Sequence, residues 1–593
     1  MSVQQYNVDT YGLPIPHGIP VYDIETLGWV NPVAVGFYSG EEYFEFFKTG
    51  EDHDVIWEFL CFLRDNFAGI KLYAHNAVHF DNKFILHTLT RHKEKVQFSA
   101  GIARLTWSAP DIDFEDSYLV IGRSLNNCCQ AFSVPQKLQW DHDETQNPWE
   151  MMNRLDQFRA YLKRDCIALS EVMGKYCQTL IKEFGVTPSM TMSLTSAKIF
   201  DKCFYPVKKI DANEKFETFI RAATFGGRNE VFHRYGKGVY FYDIISMYVS
   251  CYDVPMPIGK MQWTTPDIDK PTLAEAIVKV PQMMIGPLPY RLVVPGTHDV
   301  RLVFPVGEFK GWWDTRELKK AARKGVDIKL LRQLQADEEP ILKNFGKKIM
   351  ELRYKSENVE LSRIWKLHGV RLSGKFGQHR FVTETAHCLD IDNFDGWVPI
   401  DDEEIYHERL VALNGRRSPY IKPAINMRVR AEARIRHNEL LTHAKNRGTL
   451  YYCDNDSVIC DIPMYTGKKA GQLNLIDHAT EAWFIRPKFY GYENDMGHMR
   501  LKTSGYHDYK LTRHDFEQLL QGGEIAANCF KSVSHWKDSL TDAGVKLVSR
   551  SRSVRTSRDF ENRIVNGLET EPIRLEMKDG VVVAPYIKSP IEV

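Results

Sequence analysis

Tyr451-Tyr-Cys-Asp-Asn-Asp-Ser457 sits inside the run Leu450–Ile459, where apolar segments flank an acidic turn. That pattern predicts a β-hairpin with Asp454 and Asp456 at its tip. An Asn-Asp turn alone is ordinary. A second stretch, Gly238-Val-Tyr-Phe-Tyr-Asp-Ile-Ile-Ser-Met-Tyr-Val-Ser250, changes its meaning, because it reads as an apolar strand ending on a third carboxylate, Asp243, before a turn and a helix start. Two acids at one hairpin tip and a third at the end of another strand suit a divalent-metal site.

The chain around these segments has 593 residues, too many for one hydrophobic core, so three to five folded units are expected at about 100–200 residues each. It is 43% hydrophobic and 26% charged, with no long polar tract, so nearly all of it should fold. Lys plus Arg and Asp plus Glu both total 77. A zero net charge fails the simplest test for a nucleic-acid binder, but it can be the sum of an acidic metal site and a basic groove. The 11 cysteines include no CxxC pair and no zinc spacing, which predicts reduced core thiols. No signal peptide or membrane span is readable, so a cytoplasmic protein is expected.

The first third carries a second acidic constellation. Val21-Tyr-Asp-Ile-Glu-Thr26 alternates as a short strand, which puts Asp23 and Glu25 on one face. Tyr73-Ala-His-Asn-Ala-Val-His-Phe-Asp81 predicts a strand, a polar turn and a helix carrying Asp81. Asn76 can hydrogen-bond a single-stranded end there and Phe80 can stack on it. Tyr161-Leu-Lys-Arg-Asp165 has helical i, i+4 spacing, so Tyr161 can orient a water while Asp165 holds metal. In order and separation these three segments resemble the motifs of DnaQ-like 3′–5′ exonucleases. The resemblance implies that Asp23, Glu25, Asp81 and Asp165 bind two metals, and that Ser117, in Glu-Asp-Ser-Tyr-Leu119, contacts the single strand.

Between Asp243 and the Asp454/Asp456 turn lie two cation-rich helical segments, Leu352–Asn358 and Ile364–Gly377, whose Lys355 and Lys366 can converge on a triphosphate. Downstream stand Arg486-Pro-Lys-Phe-Tyr490 and Lys502-Thr-Ser-Gly505, then the arginine-rich Ser549–Arg558. Together with the Asp243 and Asp454/Asp456 segments, these resemble the motifs of family B DNA polymerases. The resemblance implies Asp243, Asp454 and Asp456 as ligands of two Mg²⁺ or Mn²⁺ ions, and Tyr248 as the ring that excludes a ribose 2′-hydroxyl. It also implies Tyr452 and Lys366 beside the nucleotide, with Lys488, Tyr490 and Lys502 at the primer end. Phe225-Gly226-Gly227 resembles the loop between the exonuclease and palm domains, and Arg550 and Arg552 would track phosphates from the thumb.

One motif departs from the pattern. Val370, Arg371 and Ser373 stand where the family has Asn, Ser and Tyr. The missing tyrosine normally packs on the nascent base pair, so reduced base selectivity, or a ring supplied from elsewhere, is expected.

Two long inserts give the chain the outline of the protein-primed subgroup of phages and linear plasmids. The expected architecture is α/β and multidomain: an RNase H-like exonuclease domain (1–188), palm (189–255 and 426–520), insertion one (256–345), fingers (346–378), insertion two (379–425) and thumb (521–593). The resemblance implies template and primer DNA, dNTPs and a terminal protein as partners, no membrane, and a monomer or a heterodimer with the terminal protein. Insertion one would help bind the terminal protein, and insertion two would support processivity and strand displacement. The alternatives are a related polymerase that uses an ordinary primer or none, a DNA-binding replication factor on an inactive scaffold, and an exonuclease with a regulatory C-terminal half.

Overall fold

In the computed structural model of the chain, residues 18–140, 151, 153–294, 298–401, 404–412, 419–504, 511–541, 544–555 and 562–585 are described. The N-terminal unit is built on a seven-stranded mixed sheet. Its order is Tyr43–Phe47, Asn31–Tyr38, Val21–Leu27, Lys71–Ala74, Ile112–Asp116, Arg104–Trp107, Val96–Ser99. Helices Val55–Asn66 and Asp81–Arg91 bury Phe59, Leu60, Leu63, Phe84, Ile85 and Leu89 in a core with the sheet residues Tyr22, Ile24 and Leu72. The long helix Leu155–Phe184 packs its Tyr161 and Leu162 against Val33 and Ala34 of the sheet. Contact there is close, since a Cβ on Gly36 would meet Cys166 Sγ and Leu162 Cγ, each at 2.9 Å. Gly36 pairs with Asp23, so the same approach brings the helix onto the acidic strand.

The palm is a second seven-stranded sheet, antiparallel throughout, in the order Met499–Thr503, Phe489–Asn494, Leu473–Arg486, Tyr235–Ile244, Ser457–Cys460, Leu450–Asp454, Asn229–Val231. Behind it runs helix Pro423–Arg447, which carries two buried arginines. Arg428 donates to Asp314 (2.5 Å) and to both oxygens of Glu338 (2.8 and 2.6 Å), while Arg434 grips Glu317 with two bonds of 2.8 and 2.7 Å. These pairs join the palm helix to the segment read as insertion one.

Insertion one has its own six-stranded sheet, and its composition corrects one boundary. Strands Gln262–Thr264, Asp327–Gln335, Leu273–Val280 and Val306–Asp314 are followed by Arg574–Lys578 and Val581–Val583, from the segment expected to be thumb. Leu575 and Ile573 are fully buried in the insertion's core, a better place for them than a solvated tail. Likewise the hairpin Ile564–Asn566/Glu569–Glu571 leans on the palm, with Thr570 N–H donating to Phe232 O at 3.0 Å. Insertion two forms a three-stranded sheet (Phe381–His387, Tyr406–Ala412, Val398–Pro399), and its Tyr406 hydroxyl reaches Glu94 O of the N-terminal unit. Among the described residues no helix is long and apolar enough to cross a membrane, and the ten described cysteines form no disulfide.

The two long finger helices, Lys343–Lys355 and Val359–Phe376, project from the palm. The second is pinned to the N-terminal unit through His368, whose ring nitrogens lie 2.9 Å from Tyr176 Oη and 2.9 Å from Ser196 Oγ. Burial, aided by the positive charge of Arg371, pulls His368 down to about 3. The ring is thus neutral in the fold and titrates near 6.5 once unfolded. This contribution is complete above about pH 6.5 and is lost as pH falls toward 3, at up to about 1.4 kcal/mol per pH unit. Buried His437 and His75, each held near 4, act in the same direction. Thermal unfolding should therefore show a smaller drop in midpoint between pH 7.5 and pH 5 for His368→Gln than for the parent. An equal drop would mean that His368 is not a neutral buried ring.

Candidate active sites

The palm site is assembled by strand register. Asp243, near the end of strand Tyr235–Ile244, pairs with Ser457, the first residue after the acidic turn. The turn itself is stitched locally. Asp454 N–H donates to Ser457 Oγ (2.8 Å), Asn455 adopts φ 50°, and Ile244 N–H donates to Asp456 O (2.7 Å). Asp243 and Asp456 are therefore neighbours by backbone geometry rather than by side-chain choice. Burial is the first cause that raises both carboxyls, and for Asp456 the charge of Asp243 is the next, bringing it to about 6. Lys366 acts on both acids in the opposite direction, and Lys502 and Arg353 act on Asp243. Lys488 Nζ lies 3.6 Å from Asp454, and Tyr490 pairs in register with Lys502. Tyr248, in the short helix Met247–Ser250, packs partly buried against the core beside these acids.

Several expectations at this site need correcting. Lys355 is exposed and paired with Glu351 one helical turn away at 2.6 Å, so it does not converge on the acids. The cation of that helix that does is Arg353, which donates to Ser246 Oγ beside Asp243. The two differ by two positions, which on a helix is over half a turn. Tyr452 is fully buried, with its hydroxyl bonded to Asn229 Oδ1 (2.8 Å) and accepting from Lys488 N–H (2.9 Å), so it braces the Lys488 turn instead of meeting a nucleotide. Ser373 is also buried, its carbonyl taken by Asn426 Nδ2 (2.7 Å), so this position faces the fold rather than a nascent base pair.

The Phe225-Gly226-Gly227 loop is likewise structural at its first residue. Phe225 is buried in the core of insertion one, between the guanidinium groups of Arg291 (4.5 Å) and Arg434 (5.6 Å). Gly227 abuts the acidic turn, and a Cβ there would lie 2.2 Å from Asn455 Oδ1. Side chains of Arg550 and Arg552 lie outside the described residues, although their strand Leu547–Arg555 pairs with Glu524–Val533.

The N-terminal site gathers Asp23, Glu25, Asp81, Tyr161 and Asp165 around a cavity of about 510 Å³, together with Asn76 and Phe80. Asp81 opens helix Asp81–Arg91 and accepts from Ile24 N–H at 3.1 Å, which ties the helix to the acidic strand. Burial raises Asp23 to about 7, and the charge of Asp165 adds to it. Glu25 and Asp81 are pushed up for the same first reason, with Asp23 the next cause for each. Lys137, unremarked in the sequence, ion-pairs with Asp165, and its charge also acts on Asp23 and Glu25. No spacing rule singles it out, because it lies on a segment between motifs.

Asn76 has φ 67°, and its turn is organised by buried Asp116, which accepts from the N–H groups of Asn76 (3.0 Å), Val78 (3.1 Å) and Tyr118 (2.8 Å). Ser117 is not at the surface. It is fully buried, donates to Ala74 O and lies 3.0 Å from His75 Nδ1, so it shapes the loop and does not touch a strand.

Among the described residues no three His, Cys, Asp or Glu side chains already close on one point as a metal site. The donor set nevertheless fits hard divalent cations. Each site clusters carboxylates; at the N-terminal site their charges raise the proton affinity of Asp23, Glu25 and Asp81, and at the palm Asp243 raises that of Asp456, a repulsion that such a cation relieves.

Residues 136–408 match the family model described as DNA polymerase type B, organellar and viral. A protein of Ascobolus immersus named "Probable DNA polymerase" is 25% identical to this chain over 557 residues, 80% of this chain and 45% of that protein. One of the same name from Neurospora intermedia is 21% identical over 565 residues, 81% of this chain and 57% of that protein. The chain thus spans about half the length of these relatives. Among solved structures, Phi29 DNA polymerase complexed with primer-template DNA and incoming nucleotide superposes with a TM-score of 0.67 at 16% identity, over 91% of this chain and 99% of the other. That likeness shows a shared fold over most of the chain.

The Gly227 contact allows a direct check. Gly227→Ala forces Asn455 and the acidic turn to move, so primer extension should fall more than tenfold while the thermal midpoint shifts by only a few degrees. Arg353→Ala should raise the KM for dNTPs severalfold and Lys355→Ala should leave it within twofold; the reverse ranking would restore Lys355 to the site.

Proposed function

We propose that this chain is a DNA-directed DNA polymerase with a 3′–5′ exonuclease activity that removes misinserted nucleotides. The observation that carries the reading is the convergence of Asp243, Asp454 and Asp456 at one end of the palm sheet, with Lys366 and Arg353 facing them from the fingers. Asp243 and Asp456 would hold two Mg²⁺ or Mn²⁺ ions, with Asp454 beside them, and the ions supply activation of the primer 3′-hydroxyl and neutralisation of the leaving pyrophosphate.

The protein's own groups supply the positioning. Lys366 and Arg353 draw in the triphosphate as fixed positive charges, and the Tyr248 ring floors the sugar so that a ribose 2′-hydroxyl meets it. Lys488 and Tyr490 steady the primer end beside Asp454. At the separate N-terminal site, Asp23, Glu25, Asp81 and Asp165 serve as the corresponding ligands. Tyr161, whose hydroxyl lies among these carboxylates and is held protonated by burial and their charge, orients the attacking water. Asn76 and Phe80 hold the single-stranded end.

Protein priming of a phage or linear-plasmid genome remains the preferred starting mode, supported by the two inserts flanking the fingers and by the Phi29-type fold. Insertion one is the surface for a terminal protein, since its sheet is fixed to the palm by Arg428 and Arg434. A labelled-dNTP transfer assay with candidate terminal proteins tests it, and label recovered only in extended primers would favour an ordinary primer.

Two substitutions separate the activities. Asp456→Ala should lower primer extension by at least a thousandfold with single-strand degradation retained. Asp81→Ala should do the converse, and in its absence of editing, mismatched primer ends should persist. A parent protein that extends no primer with dNTPs and Mg²⁺ would sink the polymerase reading.

A further inference from the structure

Strand Val21–Leu27 carries Asp23 and Glu25 into the N-terminal cavity and then turns through Gly28, Trp29 and Val30 into strand Asn31–Tyr38. Trp29, at the tip of that turn, is 54% exposed. An indole is among the most buried side chains on average, so its solvation here calls for a reason. Its backbone is also in the left-handed region, φ 71°, directly after Gly28 at φ 60°. Tight hairpins with two positive φ values favour Asn and Gly, which adopt them with little strain; a bulky ring there is an outlier. The turn therefore does not require tryptophan, and strain of this kind gathers at functional sites.

The position of the ring supplies the reason. Trp29 lines the same cavity as Asp23, Glu25, Asp81 and Asp165. It stands edge-on to Phe80, with ring centroids 6.4 Å apart and planes at 88°. Phe80 in turn meets buried Phe84 edge-on at 5.1 Å. A column of three rings thus rises from the hydrophobic core to solvent at the lip of the acidic pocket. Its inner members are fixed by packing, while its outermost ring keeps exposed surface.

We propose that Trp29 is a stacking platform for an unpaired base at the 3′ end of DNA, a positioning residue that holds the terminal nucleotides against the pocket acids. The inference rests on the exonuclease reading and adds a contact to it. Because every base has a π-face, such a platform binds without sequence preference, as an editing site must. The neighbouring Phe80 presents a second ring at right angles to it, so adjacent bases can stack on two differently oriented faces.

The test uses the full chain with Trp29→Ala and Trp29→Gly, the latter because glycine adopts the left-handed turn freely and removes misfolding of the hairpin as an explanation. Initial rates of degradation of single-stranded oligo-dT are measured across concentrations, with primer extension at the palm reporting that each variant is folded. KM should rise about tenfold in both variants with kcat within twofold, the size of one lost base–aromatic stack, and Trp29→Phe should recover most of it. In an Asp81→Asn background, which blocks degradation, oligo-dT should quench tryptophan emission, and the quench should shrink when Trp29→Phe is added. An unchanged KM in Trp29→Gly, or an undiminished quench, overturns the proposal. If the parent degrades no single strand, the exonuclease reading fails instead, and the quench still decides whether Trp29 meets DNA.

Discussion

The antiparallel register that sets Asp243 opposite Ser457 is the constraint on which the palm depends. Side chains alternate across a strand, so a slip of one residue would turn Asp243 to the opposite face of the sheet and leave Asp456 without its neighbour. The register is held from several sides. Asn474 pairs with Asp243 from the other flanking strand, His437 Nε2 lies 2.8 Å from Ser457 O, and Ile244 N–H is bonded to Asp456 O. Raised proton affinity on the two acids is the electrostatic cost of that placement, and it is also the property that makes the pair receptive to cations.

A second layer of order comes from charges buried well away from the acids. Arg428 is fully enclosed with Asp314, and Arg434 is enclosed with Glu317. Ion pairs of this kind gain little over apolar packing, but loss of one partner strands a charge in the interior at about 3–5 kcal/mol. They act here as orientation devices. Arg434 also donates to the carbonyls of Phe225 and Gly226, so a single guanidinium fixes insertion one, the palm helix and the glycine loop that touches the Asn455 turn. A surface insert is thereby made part of the frame around the palm acids.

Much of this was legible in the sequence wherever function demands a residue type at a fixed spacing. Asp23, Glu25, Asp81 and Asp165 line one cavity, and the acidic hairpin and the Asp243 strand are neighbours in one sheet, as their patterns implied. The misreadings share a cause, which is that sequence spacing does not say where a side chain points. Lys355 and Arg353 lie two residues apart on one helix, and only the fold shows which faces Asp243. Tyr452, Ser117 and Phe225 sit inside recognisable motifs yet are consumed by packing and hydrogen bonds. Lys137, Asp116 and Trp29 were missed for the opposite reason, since each acts through tertiary neighbours and belongs to no repeating pattern. The tail was misassigned because alternating apolar residues at 573–583 specify a strand but not the sheet it joins.

That tail has a bearing on how the molecule is made. Strand Arg574–Lys578 runs parallel to Val306–Asp314, and some 270 residues separate the partners. During synthesis the insertion's sheet must wait, with the outer edge of Val306–Asp314 uncovered, while fingers, palm and thumb emerge from the ribosome. An edge open at Val306 and Gly307, where Arg574 and Leu575 later pair, is a site for wrong pairing. Closure of this sheet thus couples the insert to segments made much later, since the surface beside the palm acids is finished only once strand Arg574–Lys578 has been made.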